Sequence, residues 1–129
     1  MTDNSAGEID SSIRRLVEEL NAFPGVVTFS SCSGHREPLT PSQRPLGEFE
    51  VNFNVYPLLG GWRSLELIAS ALVESEDRNS LKLTLWSVGG GTSVNFELEG
   101  QEHADPDALA TILNQMRQLF DDEIVDESD

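Results

Sequence analysis

The chain has 129 residues, 38% of them hydrophobic, and a formal net charge of −15 from 8 Lys plus Arg against 23 Asp plus Glu. A chain of this length fits one domain with a substantial core, and no apolar run approaches the ~20 residues of a membrane span. Nucleic-acid binding is disfavoured because its affinity draws on Lys and Arg, and Lys82 is the sole lysine. A basic protein is the partner that the charge favours.

We expect a cytoplasmic protein. Residues 1–7 are polar and lack the basic start and apolar centre of a secretory signal. Cys32 is the single cysteine, so no internal disulfide is predicted, which agrees with a reducing compartment. No membrane association is expected, and the sequence does not predict an oligomeric state.

Hydrophobic periodicity predicts three amphipathic helices and four strands. Pro24-Gly25 ends the first helix, Val27 and Phe29 share one face of the first strand, and three prolines make residues 36–47 an extended loop. Gly89-Gly90-Gly91 joins the last two strands as a hairpin. In chain order, the predicted elements are helix 9–22, strand 26–31, strand 49–55, helix 61–74, strands 81–86 and 93–99, and helix 106–120.

This order predicts an α+β fold, a four-stranded and mostly antiparallel sheet with three helices (α-β-β-α-β-β-α) layered on one face. We expect a single domain over residues 9–120, a flexible N-terminus over residues 1–8 and an acidic disordered tail over residues 121–129. An internal duplication is conceivable, each half being a helix plus two strands, although the halves share little sequence.

Strand alternation assigns a polar set of residues to the sheet face that the helices do not cover. A tryptophan among carboxylates is typical of a surface that docks a basic protein, while the alternative is an ordinary solvated sheet face. The predicted partner-binding face comprises Glu48, Glu50, Asn52, Asn54, Trp86, Asn95 and Glu97.

The most reactive segment follows the first strand. Cys32 and His35 are three residues apart in an expected turn, where an imidazole beside a thiol favours a nucleophilic thiolate. Alternatively, this turn and two arginines bind an anion, or Cys32 is a buried and unreactive structural residue. No metal site is predicted, because a Cys-x-x-His pair is half of a zinc ligand set. The predicted ligand-binding residues are Ser30, Ser31, Ser33, Gly34, Arg36 and Arg44.

The run Ser30-Ser31-Cys32-Ser33-Gly34, placed after an apolar strand, resembles the Ser-Ser-Cys-Ser-Gly signature of the tRNA wybutosine-synthesising methyltransferase family. The resemblance implies a cofactor or substrate pocket at these five residues, with S-adenosylmethionine as the cofactor; without it we predict none. The chain departs from the family in its shorter length, in its acidic charge, and in having His35 where arginine is usual. The resemblance therefore suggests a related fold more than a shared reaction.

Two function classes follow. The favoured one is a small acidic binding protein with a basic protein partner, in the manner of immunity or antitoxin proteins. The alternative is an enzyme or ligand-binding domain that uses the Ser-Ser-Cys-Ser-Gly-His segment on a small anionic or nucleotide-like ligand, distantly related to tRNA-modifying methyltransferases. Whether the protein is an enzyme is left open by the sequence.

Overall fold

A computed structural model describes residues 13–33, 48–89, 92–101 and 104–128 of the chain. The four strands form one antiparallel sheet in the order β1-β2-β4-β3, and with the three helices they confirm the α+β class. Two short 3-10 helices, Pro57–Leu59 and Arg78–Ser80, precede the second helix and the third strand. The main elements are α1 (Arg14–Asn21), β1 (Val26–Ser33), β2 (Phe49–Val55), α2 (Gly61–Glu74), β3 (Leu81–Gly89), β4 (Ser93–Gly100) and α3 (Pro106–Ser128).

All three helices pack on one face of the sheet, as the periodicity predicts. Alternate residues of β2 are buried, and the intervening polar residues are partly exposed on the opposite face. This alternation places every second side chain of a central strand against the helices. None of the helices in the described part of the chain has both the length and the apolar stretch that a membrane crossing requires. The fully buried side chains at the centre include Leu16, Leu20, Val51, Phe53, Val55, Ile68, Leu98, Leu109 and Leu113.

The connection from α1 to β1 is a tight turn. Gly25 has φ +74°, a left-handed conformation that side chains with a Cβ rarely adopt. A Cβ at this position would also lie 2.8 Å from the backbone N of Gly61. The turn is held from the helix side by Asn21, whose Oδ1 accepts from Thr28 N and whose Nδ2 donates to Thr28 Oγ1, both at 2.8 Å. The predicted start of the first helix lies outside the described residues.

The third helix corrects one prediction. It continues to Ser128, whereas the sequence analysis expects a disordered acidic tail from residue 121. Beyond Pro106 the helical stretch contains neither glycine nor proline, so no residue breaks its backbone hydrogen bonding. The acidic composition of residues 121–128 therefore does not end the helix.

Each edge strand contains a β-bulge. The pairing of β1 with β2 shifts between Thr28 and Ser30, and the pairing of β3 with β4 shifts between Leu85 and Ser87. The extra residues are Phe29 and Trp86, which are 57% and 65% exposed. A bulge reverses the alternation of the residues that follow it. Phe29 and Trp86 keep the outward direction that alternation gives them, and the residues after Phe29 change sides, so that Ser30 and Cys32 pair with the outward-facing Asn52 and Glu50.

The sheet has a local two-fold symmetry. β2 contains Val51-Asn52-Phe53 and β4 contains Val94-Asn95-Phe96, and the antiparallel register pairs Phe53 with Phe96. In β1, Phe29 is followed by a serine that pairs with the first asparagine, Asn52. In β3, Trp86 is followed by a serine that pairs with the second asparagine, Asn95. These relationships show a two-fold relation among the four strands, and the internal duplication stays a prediction.

Candidate functional site

We call the sheet face opposite the helices the outer face. Its residues form three rows that run across the four strands, because paired residues of antiparallel strands point to the same side. The first row is Val27, Asn54 and Asn95, with Trp86 beside the end of the row. The second is Phe29 with Ser30, then Asn52, Glu97 and Thr84. The third is Cys32, Glu50, Glu99 and Lys82.

Trp86 is the largest exposed side chain of the outer face. Its indole Nε1 donates a hydrogen bond to Glu97 Oε1 at 2.9 Å, and the side chain remains 65% exposed. The hydrogen bond restrains the indole beside a carboxylate. A cation that stacks on an indole and pairs with an adjacent carboxylate gains from both contacts.

The amide of Asn52 orders the centre of the outer face. Its Nδ2 donates to Ser30 Oγ at 2.9 Å and to Glu50 Oε2 at 3.2 Å. These bonds join β1 to β2 across the bulge and fix the position of the Glu50 carboxylate. The floor between the two edge strands is therefore a set of oriented amide and carboxylate groups.

The structure brings the predicted partner-binding residues together on neighbouring strands. Glu48 differs slightly, since it immediately precedes β2 and is partly buried. Glu99 lies in the third row of the outer face, but it is only 9% exposed. The role of this face in binding remains a prediction. The predicted residues that share the outer face are Glu50, Asn52, Asn54, Trp86, Asn95 and Glu97.

Two apolar residues of the outer face, Val27 and Phe29, were not predicted as site residues. Val27 and Phe29 share a face, as expected, but that face points away from the core, and the side chains are 49% and 57% exposed. The buried residue of this strand is Val26. The signal in the sequence is the parallel between Phe29-Ser30 and Trp86-Ser87, which becomes readable only once the Val-Asn-Phe repeat is recognised.

The described part of the reactive segment, through Ser33, is a strand. β1 continues through Ser33, so Cys32 lies within the sheet, partly buried and opposite Glu50. Ser30 belongs to the outer face, whereas Ser31 pairs with Val51 and points to the helix side. Strand geometry therefore separates neighbouring members of the predicted cluster.

The remaining members of the predicted site cannot be placed. Gly34, His35, Arg36 and Arg44 lie outside the described residues, so the Cys32–His35 pair and the arginine-lined anion site stay predictions. Ser33 pairs with Phe49 in the sheet. Among described outer-face residues, the charged neighbour across from Cys32 is a carboxylate, Glu50, which favours a cationic ligand over an anionic one on this side.

A concave region lies between the end of α2 and the start of α3. It is a cleft of about 580 Å³, lined by Glu74, Ser75, Glu76, Asp77, Asp105, Ala108, Thr111 and Ile112. Two of its carboxylates accept hydrogen bonds from the backbone. Asp77 Oδ2 accepts from Asp105 N, and Asp105 Oδ1 accepts from Asp107 N in the first turn of α3, both at 3.0 Å. Over the described ranges, no three His, Cys, Asp or Glu residues are grouped to hold a metal ion.

Comparison with known proteins gives a family match at the start of the chain. Residues 1–40 match the family model described as Methyltransferase TYW3. The chain has a partial resemblance to this family. The matched segment contains α1, β1 and the Ser30–Gly34 run, and it ends before β2, β3 and β4. No curated protein and no solved structure matches the chain significantly.

Proposed function

We propose that this chain is a protein-binding module that docks a basic segment of a partner protein on the outer face of its sheet. The observation that carries the proposal is the exposure of Phe29 and Trp86 at the two bulges, on either side of an amide and carboxylate floor. Aromatic side chains dominate the energetics of protein interfaces. Because Phe29 and Trp86 lie on the same face of the sheet, one partner surface can contact both side chains.

The charge of the outer face supports a basic partner. The four strands contain a single cationic residue, Lys82, which lies opposite Glu99. Glu97 supplies a carboxylate to the second row and Glu50 supplies one to the third. The formal net charge of the whole chain is −15. Such a field attracts and orients a positively charged partner. Acidic immunity and antitoxin proteins act on basic partners in this way, and we place this chain in that broad class.

The bulges favour docking on the face rather than addition of a strand at an edge. An exposed edge strand accepts another strand when its backbone groups are regularly spaced, and a bulge interrupts that spacing. β1 is interrupted at Phe29 and β3 at Trp86. Side chains of the outer face, and not the edge backbones, are therefore the expected contacts.

The test uses the purified protein as bait in a cell lysate, followed by reconstitution with the purified candidate partner. We expect a basic protein whose affinity falls by tenfold or more in the double variant Phe29→Ala, Trp86→Ala, and falls further as salt screens the carboxylates. Trp62→Ala with Leu58→Ala is the matched control, because these residues are 55% and 92% exposed outside the sheet. An acidic partner, or equal losses in both double variants, would contradict the proposal.

A second function is favoured by the family match over residues 1–40. In this alternative, Ser30 and Cys32, the members of the Ser30–Gly34 run on the outer face, line a pocket for S-adenosylmethionine, whose sulfonium cation suits the carboxylate of Glu50 opposite Cys32. Isothermal titration with S-adenosylmethionine tests it directly. We expect saturable binding that weakens in Glu50→Gln; the absence of heat at millimolar cofactor would exclude this function and leave the binding module unaffected.

A further inference from the structure

The two halves of the outer face are related by the local two-fold axis, and their differences are informative. The axis passes between Phe53 and Phe96, and it relates Asn52 to Asn95 and Phe29 to Trp86. Each half therefore has a bulge aromatic beside an asparagine on the neighbouring central strand. The positions at which the two halves differ therefore distinguish the contacts that each half offers.

At two further pairs of equivalent positions, the two halves differ in charge or polarity. The same axis relates Glu97 to Asn54 and Thr84 to Val27. We call the group around the indole, comprising Trp86, Glu97 and Thr84, the charged half. We call the group around the phenyl ring, comprising Phe29, Val27 and Asn54, the apolar half. The charged half has a carboxylate hydrogen-bonded to its aromatic ring at 2.9 Å, whereas the equivalent residue of the apolar half is a neutral amide.

The distance between Phe29 and Trp86 indicates which secondary structure of the partner can contact both residues. Phe29 and Trp86 are three strand spacings apart and offset by one row, so their Cα atoms are separated by about 16 Å. An extended segment covers that distance in about five residues, an odd step that points the two side chains to opposite sides. A helix covers it in about 11 residues, close to three full turns, with both side chains on one side.

From this geometry we infer that the partner presents a helix with an arginine against the charged half and an aliphatic side chain against the apolar half, about 11 positions apart. The guanidinium stacks on Trp86 and donates to Glu97, while the aliphatic group packs on Phe29 and Val27. This inference rests on the proposed function, since it specifies the element that the outer face docks.

The probe is a stapled helical peptide of about 16 residues with one arginine and one leucine about 11 positions apart. Three companions replace the arginine by citrulline, the leucine by alanine, or the leucine by a second arginine. Binding is followed by fluorescence in a Trp62→Phe background, which leaves Trp86 as the single indole. We expect the citrulline peptide to bind about tenfold more weakly to the unmodified face, and this difference to vanish in Glu97→Gln.

The leucine contact is tested in the same way. We expect the loss of affinity caused by its replacement with alanine to disappear in Phe29→Ala and to persist in Glu97→Gln.

The double variant Phe29→Trp, Asn54→Glu makes the two halves chemically alike, so it should prefer the peptide with two arginines, whereas the unmodified face prefers arginine with leucine. All four sites of substitution are at the protein surface or partly exposed, so the fold is retained and circular dichroism serves as the check.

Each outcome has a distinct meaning. Absence of binding by all four peptides overturns the proposed function and this inference with it. Binding that depends on the outer face but shows equal affinity for the leucine and second-arginine peptides overturns this inference alone. Coupling of the arginine to Phe29 instead of Glu97 also overturns it, because the charged half would then have no selective role.

Discussion

The ring of Phe53 stacks on the ring of Phe96 at the centre of the sheet, with a centroid distance of 5.8 Å and an interplanar angle of 20°. The two residues occupy equivalent places in the Val-Asn-Phe repeats of β2 and β4 and pair directly in the register. One ring pair thus joins the two halves of the molecule on the core side. On the other side of the same strands, the asparagines of the repeats form the floor of the outer face.

Loss of this ring pair should destabilise the whole protein. Phe53 is fully buried, and Phe53→Ala should lower the free energy of unfolding by about 3–5 kcal/mol, since a buried phenyl ring is replaced by a cavity. Urea denaturation measures the change, and Phe53→Leu gives a milder variant if the alanine protein does not fold. Phe29→Ala is the matched control, expected to cost about 0.5 kcal/mol or less at a largely exposed position. Equal losses at the two phenylalanines would contradict the described sheet register.

The turn between α1 and β1 should not tolerate a side chain at Gly25. Gly25→Ala combines a left-handed backbone with a Cβ that would lie 2.9 Å from the carbonyl oxygen of Leu59. We expect a loss of at least about 1–2 kcal/mol, the cost of the backbone conformation alone, measured as a lower thermal midpoint. Asparagine tolerates this conformation well, yet Gly25→Asn should remain destabilised because the steric contact persists. Full recovery with asparagine would show that the close approach is not limiting.

The Asn21–Thr28 contact should be worth a measurable coupling energy. Two hydrogen bonds of 2.8 Å join the side chain of Asn21 to the backbone and hydroxyl of Thr28. Asn21→Ala should cost about 1 kcal/mol, and Thr28→Val should cost less because the bond from the backbone N is kept. In the double variant the two costs should be less than additive, as measured by chemical denaturation. Strict additivity would show that the side chains do not interact in solution.

Trp86 should behave as an exposed but restrained indole. In a Trp62→Phe background its emission should be red-shifted and readily quenched by acrylamide, since the side chain is 65% exposed. Glu97→Ala removes the acceptor of the indole hydrogen bond, so the fluorescence anisotropy should fall while stability changes by about 0.5 kcal/mol or less. Thr84→Ala, in the same row, is the control and should leave the anisotropy unchanged. A blue-shifted, protected emission would contradict an open outer face.

The sequence by itself determined the fold class, since the strict alternation of β2 and the apolar stripe of α2 each reflect a single period that burial enforces. It also indicated the polar composition of the outer face, because alternate residues of a paired strand point to the same side. Two features were decided only by tertiary structure. The bulge at Phe29 depends on how β1 pairs with β2, and it turns Cys32 toward Glu50.

The relationship between the two halves was decided in the same way, whereas the extent of α3 follows from the sequence itself. The acidic composition of residues 121–128 suggested disorder, yet the backbone remains helical where no glycine or proline interrupts it. The two-fold relation is faint in the sequence because only Val-Asn-Phe is repeated, and it is seen when pairing places Phe53 against Phe96. Pairing registers join residues far apart in the chain, so local periodicity could predict these strands but not which of their residues meet.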